Sequence, residues 1–193
     1  MYIKKGVRIL GIAESFYKDK ERSVLVGIVQ RGDLIIDGFS YAHATLGGMD
    51  ATNAVIEIYE DLDREDINYI MVSGSVISWY NVIDLHRVYW ETGRPVISLT
   101  YEETEGITRY FIENFPRDWH YRLLIHLKNG KRRRIKLKNG YEIYIRAVGL
   151  DEETVNRIIN MFTLEGKYPE PVRIARLIAR RIARKLGSNK KHL

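Results

Sequence analysis

Cysteine is absent from the 193 residues, which removes disulfide frameworks, thiolate metal sites and cysteine nucleophiles at once. Proline is scarce at four residues, so little of the chain is barred from regular structure. No apolar run approaches the roughly 20 residues needed to cross a bilayer. The opening Met-Tyr-Ile-Lys-Lys-Gly leads into a strand rather than a signal-peptide core, so a cytoplasmic location is expected. Acids are missing from two stretches that are rich in bases. Pro171 to Leu193 holds eight Lys and Arg, and Lys128 to Lys138 holds seven. The rest of the chain has 16 bases against 25 acids, so the net +6 describes an acidic body with two basic patches. That asymmetry favours a polyanionic partner.

What is present reads as an α/β protein. Arg8–Ser15, Ser23–Val29 and Leu34–Phe39 are short, β-branched-rich runs expected to be successive strands, the last two joined by a tight turn at Arg31-Gly32-Asp33. Gly47-Gly48-Met49-Asp50 starts a helix over Ala51–Glu60, and Asn68–Ser73 is a fourth strand. The spacing of Trp79, Val82, Ile83, Val88 and Tyr89 predicts an amphipathic helix over Trp79–Thr92, ended by Gly93. Arg94–Leu99 returns as a strand, which implies a right-handed parallel crossover. Glu102–Phe115 reads as a weaker helix. Two Asn-Gly pairs, at 129–130 and 139–140, predict hairpin turns and an antiparallel extension over about Arg122–Arg146, with Tyr121–Leu127 as one of its strands. Asp151 caps a helix over Glu152–Phe162, and Pro169-Glu-Pro opens the last helix, running to Gly187. Residues 1–187 are expected to form one domain, with 188–193 as a flexible basic tail.

On the last helix Arg173, Arg176, Arg180 and Arg184 share one narrow face. A solvated helix face is the ordinary explanation; contact with phosphates is the other, because arginine suits phosphate geometry. Lys131, Arg132, Arg133 and Arg134 beside a turn could grip a nucleic-acid backbone or simply protect an edge strand. Asp50 reads first as a helix N-cap bonding an amide near Asn53. Ser73-Gly74-Ser75 lies beyond a strand end, where open α/β sheets bind ligands, but it lacks the pattern and partners of a serine hydrolase. The five histidines show no metal-ligand spacing.

Taken in order, Gly11-Ile-Ala-Glu-Ser, Gly47-Gly-Met-Asp-Ala-Thr-Asn-Ala, Val72-Ser-Gly, Tyr80-Asn-Val-Ile-Asp84, Thr92-Gly-Arg-Pro-Val-Ile97 and Pro169-Glu-Pro-Val-Arg-Ile-Ala-Arg-Leu-Ile-Ala179 resemble the archaeal endonuclease dU family, formerly an uncharacterised protein family and related to endonuclease V. The resemblance implies a ribonuclease H-like fold, with a mixed five-stranded-type sheet, flanking helices and the antiparallel hairpin extension. It also implies nicking of DNA near deaminated bases such as deoxyuridine or deoxyinosine, with Mg²⁺ or Mn²⁺ held by carboxylates. By position, the helix carboxylate is Asp50, and the first-strand pair of aspartates becomes Ala13-Glu14. The fourth-strand acid is replaced by Ser73, and Arg176 stands where the family would have a histidine.

Glu14 and Asp50 are thus the catalytic candidates, with Asp84 and, more remotely, Glu170 as further acids; Glu14, Asp50 and Asp84 form the expected metal set. Because alternate strand residues face opposite ways, Glu14 replaces an acid at 13 only if the strand has already broken there. Three functions follow as expectations: a metal-dependent endonuclease with a reshaped site, a binding-only paralogue gripping nucleic acid, DNA in particular, through its basic patches, or a module for a small molecule or an acidic protein. Trp79 and Tyr80 could stack on an extruded base in the first two.

Overall fold

The computed structural model describes residues 6–17, 20–102 and 106–188, with Ser188 described by its backbone alone. Of the tail expected at 188–193, Ser188 ends the last helix and 189–193 lie outside the described residues, as does part of the expected helix at 102–115.

Strands β1 (Arg8–Ser15), β2 (Arg22–Arg31) and β3 (Ile36–Thr45) form an antiparallel meander. Next come α1 (Ala51–Asp61), β4 (Tyr69–Ser73), a small hairpin of β5 (Val76–Ile77) and β6 (Asn81–Val82), α2 (Leu85–Thr92) and β7 (Val96–Thr100). The chain continues through α3 (Ile107–Asn114), α4 (Trp119–Lys128), β8 (Arg133–Lys136), β9 (Glu142–Val148), α5 (Glu152–Phe162) and α6 (Glu170–Ser188). The main sheet has seven strands in the order β3-β2-β1-β4-β7-β9-β8 rather than five. Its centre, β1-β4-β7, is parallel, and both edges are antiparallel.

Strand alternation sends Leu10, Ile12, Val72 and Val96 to one face, against Val55 and Ile58 of α1 and Leu85 and Val88 of α2. Ile9, Ala13, Met71, Ile97 and Leu99 go to the other, against α5 and against Val172, Ala175 and Ala179 of α6. At Gly11 the start of α6 presses directly on β1. A Cβ there would lie 2.6 Å from the Pro171 Cβ and 2.7 Å from its backbone carbon, so only glycine fits beneath the Pro-Glu-Pro opening.

Three sequence expectations change. The segment from Trp79 is not helical until Leu85. Asp84 accepts from the His86 and Arg87 backbone N–H groups and so sets the true start of α2. Ahead of it, Ser78, Trp79 and Tyr80 all take left-handed backbone conformations, with φ of 46°, 53° and 67°. Second, Tyr121–Leu127 lies in α4, not in a strand. Asn129-Gly130 closes that helix instead of turning a hairpin, with the Asn129 side chain accepting from Leu85 N and donating to Ile83 O. Third, the strand expected at Leu34–Phe39 starts at Ile36 and runs on to Thr45, after a turn in which Leu34 N–H donates to the Arg31 carbonyl. The Asn139-Gly140 turn does join β8 to β9, and the parallel crossover through α2 is present.

Candidate functional site

The carboxyl ends of β1, β4 and β7 open into a cavity of about 650 Å³, bounded by Glu14, Gly74 and Thr100 below and by α3, α4 and the β5–β6 loop above. Its apolar walls include Phe16, Trp79, Tyr80, Tyr110, Leu123 and Leu127, and its polar lining includes Ser75, His126, Arg132 and Arg146. Tyr80 stacks on Tyr110, with ring centroids 5.8 Å apart and planes 17° from parallel. An apolar cavity with a few convergent polar groups is the usual form of a ligand site.

Arg122 holds the rim. It is fully buried and donates to the carbonyls of Gly47, Gly48 and Tyr80 at 2.6, 2.9 and 2.8 Å. It also pairs with Asp118 at 2.8 Å and lies 3.7 Å from the Phe115 ring centroid. One guanidinium thereby ties α4 to the loop before α1 and to the left-handed segment that presents Trp79 and Tyr80.

Glu14 lies on the cavity floor, and β1 continues through Ser15, so Glu14 and Ala13 leave the sheet on opposite faces. Its Oε1 accepts from Ser78 N–H at 3.3 Å, while Oε2 is buried without a partner. Burial raises its pKa, against the opposing influence of the Ser78 amide and the positive charge of Arg176.

On the other face, Ala13 is packed among apolar residues, and the groups around Ser73 are aromatic and cationic. The Tyr101 hydroxyl is buried, with Ser73 beside it. Burial raises the Tyr101 pKa, with the neighbouring Tyr168 adding to the effect. The Tyr101 and Tyr168 rings are 4.2 Å apart, and the Arg176 guanidinium lies 5.2 Å from the Tyr168 centroid. Lys167 Nζ donates to the Tyr101 carbonyl at 3.3 Å. Two cations thus occupy the region where the resemblance had implied metal-binding acids.

The other candidate acids are engaged elsewhere. Asp50 is not a side-chain N-cap; it accepts from Thr45 N, Thr45 Oγ1 and Asn81 Nδ2, at 3.0, 2.8 and 2.7 Å. Burial pushes its carboxyl up, but these hydrogen bonds outweigh it and hold the pKa below the ordinary value. Asp84 caps α2 and pairs with Lys128 at 2.7 Å. Glu170 is buried and takes Arg173 in a bidentate pair, the shortest contact 2.6 Å. Among the described residues, no group of three or more acids and histidines could hold a metal ion, so Glu14, Asp50 and Asp84 are not gathered into one set.

The basic patches are unequal. Arg133 pairs with Glu152 at 3.1 Å and Arg134 with Glu142 at 3.4 Å. Lys131 is exposed at the start of the hairpin, and Arg132 lines the cavity, 5.9 Å from the Tyr144 centroid. On α6, Arg173 is paired and Arg176 rests on Tyr168, whereas Arg180 and Arg184 are exposed without an acid partner among the described residues. Their neighbour Arg181, which the helical-face pattern passed over, is exposed in the same way.

Arg122, His126 and Arg146 escaped the sequence reading as well. Arg146 had a usable signal: a lone arginine inside the apolar alternation Ile143–Val148 marks either a strand edge or a buried cation.

A parallel centre flanked by antiparallel strands, with helices on both faces and a cavity at the carboxyl ends of the central strands, defines a ribonuclease H-like protein. The profile of the endonuclease dU family matches residues 5–183, and the chain belongs to that family. A UPF0215 protein of Pyrobaculum calidifontis is 36% identical over 170 residues, covering 88% of this chain and 93% of the relative. One from Methanosarcina barkeri is 35% identical over 181 residues, covering 92% and 91%. Among solved structures, a protein of unknown function from Archaeoglobus fulgidus superposes with a TM-score of 0.79 at 29% identity, over 91% of this chain and 98% of that one. Endonuclease V of Ciona intestinalis, crystallised with a 24mer DNA containing an inosine followed by a ribo-adenosine, gives 0.61 at 15% identity, over 93% and 87%. That last likeness is one of fold. Membership of a nuclease family suggests a divalent-metal dependence, with the metal's identity open. No helix among the described residues is long and apolar enough to cross a membrane.

Proposed function

We propose that this protein binds DNA at a deaminated nucleotide, deoxyuridine or deoxyinosine, and receives the altered base in the cavity beside Glu14. The observation that carries this reading is the aromatic-walled cavity at the carboxyl ends of β1, β4 and β7. Taking a base out of the duplex costs stacking energy, which aromatic walls can return at about 1–3 kcal/mol per base. The family and the inosine-DNA complex of Ciona intestinalis endonuclease V support the choice of ligand. Arg180, Arg181 and Arg184, without acid partners among the described residues, are the groups best suited to meet the phosphate backbone.

Binding is favoured over cutting by the chemistry of the donors. A metal centre needs carboxylate oxygens with free lone pairs. Those of Asp50 and Asp84 are committed to hydrogen bonds, and Arg176 adds positive charge beside Glu14. Glu14 alone offers an unengaged oxygen, and burial disfavours its charged form. The residues present do not fit a two-metal centre.

The test is a duplex carrying one deoxyuridine or deoxyinosine, incubated with excess protein and Mg²⁺ or Mn²⁺, with retention and nicking read from the same samples. Retention of the lesion duplex over its undamaged counterpart, insensitive to EDTA and without nicking, is expected. Nicking that disappears in Glu14→Ala would replace this reading with that of a cutting enzyme centred on Glu14.

A further inference from the structure

The cavity wall contains a buried cation that no acid among the described residues answers. Arg146 is only 8% exposed. Its Nε donates to the Gly130 carbonyl at 2.7 Å, one terminal nitrogen donates to Ser75 Oγ at 3.0 Å, and the other lies 3.1 Å from His126 Nε2. All three partners are neutral acceptors, and no carboxylate pairs with Arg146 among the described residues. A guanidinium has five N–H groups, so two remain for a ligand.

The surroundings supply more donors. Because His126 Nε2 accepts from Arg146, the ring proton sits on Nδ1, and Nδ1 is buried with no partner. Burial, reinforced by Arg146 and Arg132, holds His126 neutral, with its pKa lowered to about 4. Among the described residues, Glu14 is the one acid lining the cavity, and burial favours its neutral form. A buried charge without a counter-charge is costly, and so is each orphaned donor. An anion with several oxygens would satisfy them together.

We propose that Arg146, with His126 beside it, forms a phosphate site in this cavity, so that the ligand is a nucleotide held by its base and by its phosphate. The nucleotide part rests on the function proposed above; the phosphate site stands on the donors alone. The phosphate belongs either to a DNA strand or to a free nucleotide.

Binding is measured by calorimetry at constant ionic strength with deoxyuridine, its 5′-monophosphate and inorganic phosphate, on the wild type and on Arg146→Met and Arg146→Lys. The monophosphate should bind the wild type at least tenfold more tightly than deoxyuridine. That advantage should fall to within twofold in Arg146→Met and be partly kept in Arg146→Lys, while deoxyuridine binds all three alike. Equal affinity of nucleoside and monophosphate for the wild type overturns the phosphate site and leaves the base cavity standing; this comparison needs no variant to fold. Binding of inorganic phosphate as tight as the monophosphate keeps the phosphate site and sinks the base cavity. An advantage that survives in Arg146→Met overturns the assignment to Arg146. Displacement of the monophosphate by the lesion duplex identifies the strand as the source; failure of displacement identifies the free nucleotide.

Discussion

Asn81 uses both ends of its amide on one junction: its nitrogen lies 2.7 Å from Asp50 Oδ1, and its oxygen accepts from Ala51 N–H at 3.0 Å. The cap of α1 thus comes from β6, and the acid beside that cap fastens the end of β3 through Thr45. Asp50→Ala is expected to destabilise the protein by about 1–3 kcal/mol, since it orphans several donors. Because the folded-state pKa of Asp50 lies below its reference of 3.8, the contribution is present above that pH and is lost as pH falls through the folded value. Urea unfolding of wild type and variant should therefore differ at pH 7, and the difference should shrink only as pH falls through the folded-state value, below 3.8, with no effect of Mg²⁺ on either.

Glu14 should behave oppositely. Its folded-state pKa lies above 4.5, so its stabilising contribution is fully present below that value and is lost as pH rises through the folded pKa. Glu14→Gln keeps an acceptor for Ser78 N–H and removes the burial cost of the charge. The variant should melt higher than wild type at pH 7, and the two should coincide near pH 4. A variant that melts lower at pH 7 would show that Glu14 is charged and paired.

The basic groups should separate by whether an acid already holds them. Arg180→Ala with Arg184→Ala should weaken DNA binding at low salt and reduce the slope of log affinity against log salt by about 1 per lost contact. Arg133→Ala with Arg134→Ala should change the slope less, because Glu152 and Glu142 already share those charges. Affinity titrations at four salt concentrations check both.

Removing the guanidinium that ties α4 to the rim should be severe. Arg122→Met strands the Asp118 carboxylate and three backbone carbonyls, and about 3–5 kcal/mol of destabilisation is expected. Trp79, 6.5 Å from Phe115 at the cavity mouth, should report the change in its fluorescence before global unfolding in urea.

Much of the fold was legible where one local rule decides the outcome. Alternation marks β1 and β4, Asp151 does cap α5 through Thr154 N–H, and Asn139-Gly140 turns the last hairpin. The same kinds of signal misled where a distant residue decides. The apolar run Leu123–Leu127 suits strand or helix alike, and Asn129 turns out to serve the α2 start 44 residues earlier in the chain. Trp79 and Val82 fall at helical spacing, but Arg122 and Asn81 hold that stretch in another conformation. The cavity was the least legible part. Its rings come from the β5–β6 loop and α3, and its polar lining from β1, α4 and β9, so no stretch of sequence holds the set.

The three left-handed residues at 78–80 have a consequence for engineering. Each non-glycine residue in that region costs about 1 kcal/mol or more, and here two of them are the large rings at the cavity mouth. Glycine at Trp79 or Tyr80 would relax the backbone while erasing the wall. A selection for thermostability alone would therefore favour glycine at the exposed Trp79 and strip one ring from the cavity mouth, while the packing of Tyr80 on Tyr110, Phe111 and Phe115 opposes the same change there. Screens that score only survival on heating will enrich proteins that fold better and recognise less.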